Sequence, residues 1–435
     1  MDVTVGSTPR ATGSGTRDCG CPEYEGVSRR SFLKLAAAAG ALGGLVTEGL
    51  ATRLAFAAPP YDGDTLVVLS LRGGFDGLQA VVPAADPSYQ QWRPNVGIPA
   101  NALIQLDQMF GMHPAMSPLV PLWDAGTLGF IHAVGMAEPN RSHFDAMEEM
   151  ERAAPGTSVR TGWIDRMLGL RDPGTPFQAT QMGNTQPARA FLGPTSELAM
   201  SSVDGFGLDA AWDEEQRVLW DAALRGVHAG APAALGNPAT TALDAMATAR
   251  QLQEVGYTPG NGAAYPDTEL GRALSDVARL IKSDVGLQVA AVDYGDWDMH
   301  AGMGDADGGW MHDHLRELSL SLAAFARDLG SRIGDVTLVT LTEFGRRVEE
   351  NGSGGTDHGY GQVVFALGGG VRGGLVHGAW PGLAADALID GDLHATTDYR
   401  TILAEALEKR CRAGSVGEVL PGAPSVRPDI FTQRA

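Results

Sequence analysis

Cysteine is almost missing from this chain, with three in 435 residues, at positions 19, 21 and 411. Cys19 and Cys21 precede an N-terminal export segment and would leave with it. Cys411 then stands alone, so neither a disulfide framework nor thiolate chemistry is expected of the mature protein. Basic residues are also few, 32 Lys and Arg against 52 Asp and Glu, giving a formal net charge of -20. No local basic patch offsets this, and no nucleic-acid or anionic lipid partner is expected; the acidity reads as a solvation feature. No uninterrupted apolar run reaches the ~20 residues a spanning helix needs. There is no internal repeat and no haem, flavin or copper-thiolate signature.

What is present begins with Ser28-Arg29-Arg30-Ser31-Phe32-Leu33-Lys34, a twin-arginine signature. A small-residue apolar run follows from Leu35 to Val46, then an Ala-x-Ala-like site at Ala55-Phe56-Ala57. Residues 1–57 are therefore read as a signal peptide, with the twin-arginine translocase as partner during export. The mature chain would start near Ala58 and work in the periplasm, on the cell surface or outside the cell. Because that pathway carries folded proteins, it agrees with a cofactor inserted before export.

Residues 58–435 are read as one α/β unit rich in loops, with 58 Gly and 25 Pro in the whole chain. Continuous apolar runs at 65–71, 128–134, 286–292, 335–341 and 362–367 predict buried strands. They alternate with predicted helices at 144–152, 267–283, 310–329 and 397–410, which favours a mostly parallel central sheet between helical layers. Residues 172–265, rich in Gly, Pro, Ser and Thr, are expected to form a cap or insertion, with helical stretches near 211–226 and 238–254.

Five polar islands interrupt this pattern: Gly73 to Gly77, Arg141 to His143, Asp296 to His300, Thr342 to Arg346, and Thr356 to Gly359. Three of them directly follow a predicted strand, where open α/β sheets gather functional groups. Asp76 follows two glycines, and its carboxylate suits either a ligand site or a cap on the next helix. If 296–300 is extended, Asp296, Asp298 and His300 share one face. Glu343, at a strand end, requires a metal or an arginine such as Arg346 as partner. Asp357 and His358 lie among glycines that let both turn inward. Ser142 fits a capping box with Asp145, and equally a nucleophile at a helix start, with Arg141 steadying charge and His143 as base or core residue.

Together, and in this order behind a twin-arginine signal, Gly73-Gly-Phe-Asp76-Gly-Leu, His113-Pro, Arg141-Ser142-His143-Phe, Trp297-Asp298-Met-His300, Thr342-Glu343-Phe-Gly-Arg346 and Gly355-Thr-Asp357-His358-Gly resemble the bacterial domain-of-unknown-function 1501 family. That family is placed in the alkaline phosphatase and sulfatase superfamily. The resemblance implies a three-layer α/β/α sandwich, alkaline phosphatase-like, with metal ligands on strand-end loops. It also implies Asp76 as a metal carboxylate, Asp298 and His300 as the family's Asp-x-His pair, and Ser142 in the nucleophile's place. One departure stands out. Superfamily enzymes commonly carry Asp-His after the strand at 336–341, whereas this chain has Glu343-Phe344, and Phe344 cannot ligate a metal.

The expected function is thus an exported metal-dependent hydrolase of phosphate or sulfate esters, acting on a small anionic substrate. The expected metal ligands are Asp76, Asp298, His300, Glu343, Asp357 and His358. Ser142, His143, Arg141 and Arg346 are the catalytic set. Zinc is the first choice of metal, with magnesium, calcium or manganese as alternatives. A non-catalytic cell-envelope binding or assembly protein on the same scaffold is the rival reading.

Overall fold

The computed structural model describes residues 61–171, 174–208 and 213–434. The twin-arginine signature and the expected cleavage site lie outside the described residues. Strand β1 (Thr65–Leu71) is buried along its whole length. Its side chains alternate between two cores, Val67, Leu69 and Leu71 in one and Leu66 and Val68 in the other. That two-sided burial is why the sequence there is continuously apolar.

Three two-residue strands, β2 (Val81–Val82), β3 (Ile104–Gln105) and β4 (Gly111–Met112), form a small antiparallel sheet. The chain then alternates through β5 (Leu128–Gly135), α1 (His143–Arg152), α2 (Trp163–Gly169), β6 (Ala179–Met182) and β7 (Leu198–Met200). Next come α3 (Glu214–His228), α4 (Ala233–Val255), α5 (Glu269–Lys282), β8 (Val289–Tyr294) and α6 (Trp310–Leu329). The rest is β9 (Val336–Leu341), β10 (Arg346–Glu350), β11 (Thr356–His358), β12 (Gln362–Gly368), β13 (Val376–His377), β14 (Thr397–Asp398) and α7 (Tyr399–Lys409).

The central sheet has nine strands in the order β13-β5-β12-β9-β1-β8-β6-β7, with β14 also on β5. Strand β12 runs against both its neighbours, while the other pairings are parallel. Helices α5 and α6 bury their apolar faces in one core, and α1, α2 and α7 theirs in the other, giving three layers. The expected α/β fold with a mostly parallel central sheet is observed. Part of the span 172–265 differs from a cap, because β6 and β7 extend the central sheet. Helix α4 adds Ala245, Ala249 and Leu252 to the core it shares with α5 and α6, while α3 has no buried residue.

Register places the site. Leu71 pairs with Tyr294 and Ser70 with Leu341, so β1, β8 and β9 end at one level. Strand β5 runs in the same sense as β9, and β12 in the reverse sense. The residues that follow β1, β5, β8 and β9, and those that precede β12, therefore emerge at one edge. All five polar islands are in these segments.

Candidate metal centre

Helix α1 begins at His143 because Ser142 adopts an extended backbone and its hydroxyl accepts from the Asp145 amide (3.4 Å). Asn140 Oδ1 in turn accepts from the Ser142 amide (2.9 Å). This start fixes the His143 ring at the sheet edge. There its Nδ1 lies 2.7 Å from Glu343 Oε1, and its Nε2 lies 3.0 Å from His358 Nε2. The His300 Nε2 is also 3.0 Å from His358 Nε2, and its Nδ1 is 2.9 Å from Asp357 Oδ1. His358 completes the set, with Nδ1 3.0 Å from the Arg141 carbonyl.

Each Nδ1 faces an oxygen that can only accept, and a neutral ring that carries its hydrogen there presents a bare lone pair at Nε2. The Nε2 atoms of His143 and His300 thus each approach that of His358. The Asp298 carboxylate joins them, with Oδ1 3.0 Å from His300 Nε2 and 3.1 Å from His358 Nε2, and Oδ2 3.6 Å from His143 Nε2. Electron-rich donors at this spacing repel unless a cation sits among them. His143, Asp298 and His358 offer ligand atoms that all lie within 4.8 Å of one another, with His300 beside the last two; tetrahedral zinc with ~2.0–2.1 Å bonds sets its ligands ~3.3 Å apart. The donor set therefore fits a divalent metal. Glu343, Asp357 and the Arg141 carbonyl take the role of outer partners that fix ring orientation and tautomer.

Arg346 holds the oxygen side. Its guanidinium is fully buried and donates to the carbonyls of Gly74 (2.6 Å), Trp297 (2.9 Å) and Thr356 (3.0 Å), to that of Gly73, and to Asp298 Oδ1 (2.6 Å). Burial opposes ionisation of Asp298, but Arg346 outweighs it and holds the carboxyl below the ordinary value. The bond from His300, with help from Asn351, lowers Asp357 as well. Phe344 packs against both His143 and His358, with centroids 4.8 and 4.9 Å away, and closes one side with an apolar ring. Gly74 has φ 74°, and a Cβ there would lie 2.6 Å from the Phe344 ring, so this turn admits only glycine.

Several expectations change. Asp76 does not join the cluster: Oδ2 meets Arg93 Nη1 at 2.9 Å and the Thr356 hydroxyl at 3.1 Å, and Oδ1 caps the Gln79 amide at 3.0 Å. Arg93, which sequence reading missed, is fully buried and satisfies that carboxylate. Glu343 and Asp357 bind ring nitrogens rather than facing the centre, and His143, expected as a base, has both nitrogens committed. Arg141 and Arg346 are not free clamps, since Arg141 reaches the buried Asp392 and Arg346 is spent on the bonds above. Asp296 departs too: it has φ 65°, and the Met299 and His300 amides bond two residues back, so 296–300 is not one extended strand. His113 is a buried cap whose Nδ1 accepts from the Ala115 amide (3.1 Å), and burial pushes its imidazole down to about 4.

The fold and the centre together define an α/β protein with a histidine-rich candidate metal site at the carboxyl edge of its sheet. The model of a family described as protein of unknown function (DUF1501) matches residues 229–407. That span includes Asp298, His300, Glu343 and His358. No curated protein sequence matches the chain. Among solved structures the chain is similar to the phosphonate monoester hydrolase of Agrobacterium radiobacter, at 11% identity over 84% of this chain and 79% of that one, with a TM-score of 0.34. It is also similar to the alkaline phosphatase from the Antarctic bacterium TAB5, at 11% identity over 71% and 92%, with a TM-score of 0.27. Likenesses of this size say nothing about individual residues.

Proposed function

We propose that the chain is an exported, metal-dependent hydrolase-like protein acting on phosphate or sulfate esters. It holds one divalent ion through Nε2 of His143, His300 and His358 and through Asp298. The cluster of His143, Asp298 and His358, whose ligand atoms all lie within 4.8 Å of one another, carries this reading, with His300 beside the last two as a further donor. Three nitrogens and an oxygen suit zinc, and manganese less well; magnesium and calcium prefer oxygen donors and fit poorly. When bound, such an ion supplies Lewis acidity toward an ester oxygen and offsets charge developing there.

The chain's own groups do the rest. Glu343, Asp357 and the Arg141 carbonyl hold three protons on Nδ1, which keeps the opposite nitrogens free. Arg346 fixes Asp298, and Phe344 keeps water from one side. Ser142, at the start of α1, is the candidate nucleophile, placed where helix amides favour an anionic ester group. Its hydroxyl now caps the helix and must leave the Asp145 amide to attack. Export by the twin-arginine pathway rests on the Ser28–Lys34 signature.

A second reading has its own support. Among the described residues no arginine at the centre is free to clamp an anion, which agrees with a cell-envelope protein that binds metal without turnover. Metal analysis of the purified protein and an ester panel, run on wild type and Ser142→Ala, decide between them. Stoichiometric metal with serine-dependent turnover supports hydrolysis. Metal without turnover leaves the binding protein.

A further inference from the structure

Beside the metal centre, over the carboxyl ends of β1, β8 and β6, lies a cleft of about 660 Å³ whose floor includes His143 and Glu343. In doubly wound sheets this edge is where ligands bind. One face of α1 forms a wall of the cleft. Phe144, Met147, Glu148 and Glu151 follow one another at the i, i+3, i+4 and i+7 spacing, directly after the ligand His143. Phe144 is 88% exposed, so the face of its ring is open in the cleft.

The charges around this wall are unequal. Five carboxylates, Glu148, Glu151, Glu269, Asp293 and Glu343, line the cleft against two guanidiniums, Arg72 and Arg189. Both guanidiniums are already engaged: Arg72 with Glu151 (2.8 Å) and Asp293 (2.7 Å), Arg189 with Glu148 (3.3 Å). Glu269, exposed in the first turn of α5, has no ion-pair partner among the described residues. The cleft thus offers an open aromatic face and surplus negative charge, and no spare cation for a second anionic group.

We propose that the cleft binds the organic ammonium end of a zwitterionic ester, with the cationic head on the Phe144 ring and near Glu148 and Glu269. Only the ester half rests on the hydrolase reading, the ester group then lying at the histidine cluster. The apolar sides of Met147 and Phe144 take the carbon next to the charge. An aromatic face with carboxylates around it selects alkylammonium groups over isosteric anions, because ring quadrupole and field act in the same sense.

The test uses the full chain and two probes that share a ring, phenyltrimethylammonium and benzenesulfonate, titrated calorimetrically at low salt with and without metal. The ammonium probe should bind about tenfold more tightly, with metal present or removed. Phe144→Ala, an exposed substitution, should weaken it about fivefold, and Glu269→Gln should reduce the preference. Equal binding of the two probes, or ammonium binding indifferent to Phe144→Ala, overturns the proposal. Ammonium binding without turnover of any ester supports this inference and removes the hydrolase reading. Turnover with no preference between ammonium-bearing and sulfonate-bearing phenyl esters does the reverse.

Discussion

Glu343→Gln isolates one electrostatic contribution to the candidate metal centre. Glutamine keeps the shape, and its oxygen can still accept from the Gly73 amide (2.8 Å) and His143 Nδ1 (2.7 Å). What disappears is the negative charge that raises the basicity of the opposite nitrogen. Loss of such an outer partner weakens metal binding about 10–100-fold, or ~1.4–2.7 kcal/mol. At an ion concentration ~1,000 times the wild-type Kd, binding stabilises the fold by ~4.1 kcal/mol; a 100-fold weaker variant retains ~1.4 kcal/mol. For the ~370 described residues the unfolding entropy is ~0.8 kcal/mol/K, so zinc should raise the wild-type Tm by ~5 °C and that of the variant by ~2 °C. Chelator competition gives the Kd and calorimetric melting gives the shifts. The reasoning is refuted if Glu343→Gln keeps wild-type affinity, or if metal-stripped and metal-loaded wild type melt together.

Three further outcomes follow from buried groups. Asp76→Ala leaves Arg93 charged and buried without its carboxylate, and should lower unfolding free energy by about 3–5 kcal/mol in urea titrations, with metal stoichiometry unchanged. A change in stoichiometry would return Asp76 to the ligand set. Burial opposes ionisation of Asp328, but donors from Lys282, Tyr257, Gly260 and Tyr265 outweigh it and hold its carboxyl below the ordinary value. Its stabilisation is present above the ordinary carboxyl pKa of ~4 and disappears as pH falls through the lowered value; Asp328→Asn should flatten that acid limb of urea stability. Cys411 is buried with its thiol pushed up to about 12, so a thiol reagent should label it only on unfolding, and fast labelling of native protein would contradict its placement.

Much of the sheet was legible because a strand buried on both faces must be apolar throughout. The runs at 65–71, 128–134, 335–341 and 362–367 each fall within a residue of β1, β5, β9 and β12. Strands β6 and β7 escaped, since Ala179-Thr-Gln-Met182 and Leu198-Ala-Met200 are too short to show a run. At the centre, Asp298, His300 and His358 stood out by residue type and position. The division between groups facing the centre and groups facing ring nitrogens was not legible, because it depends on which side of an imidazole points inward. His143 was read as a base and not as a ligand for that reason, and Arg93 was missed because nothing in sequence ties it to Asp76, 17 residues before it.

The Arg346 guanidinium bonds to the loops after β1 and β8 and to the strand before β12. Those segments cannot loosen one at a time, since each holds a different hydrogen of the same planar group. Amide hydrogens across the site should therefore exchange with solvent through a single shared opening, at one common free energy. Lysine, with a single nitrogen in place of a fork, would split that opening into independent ones.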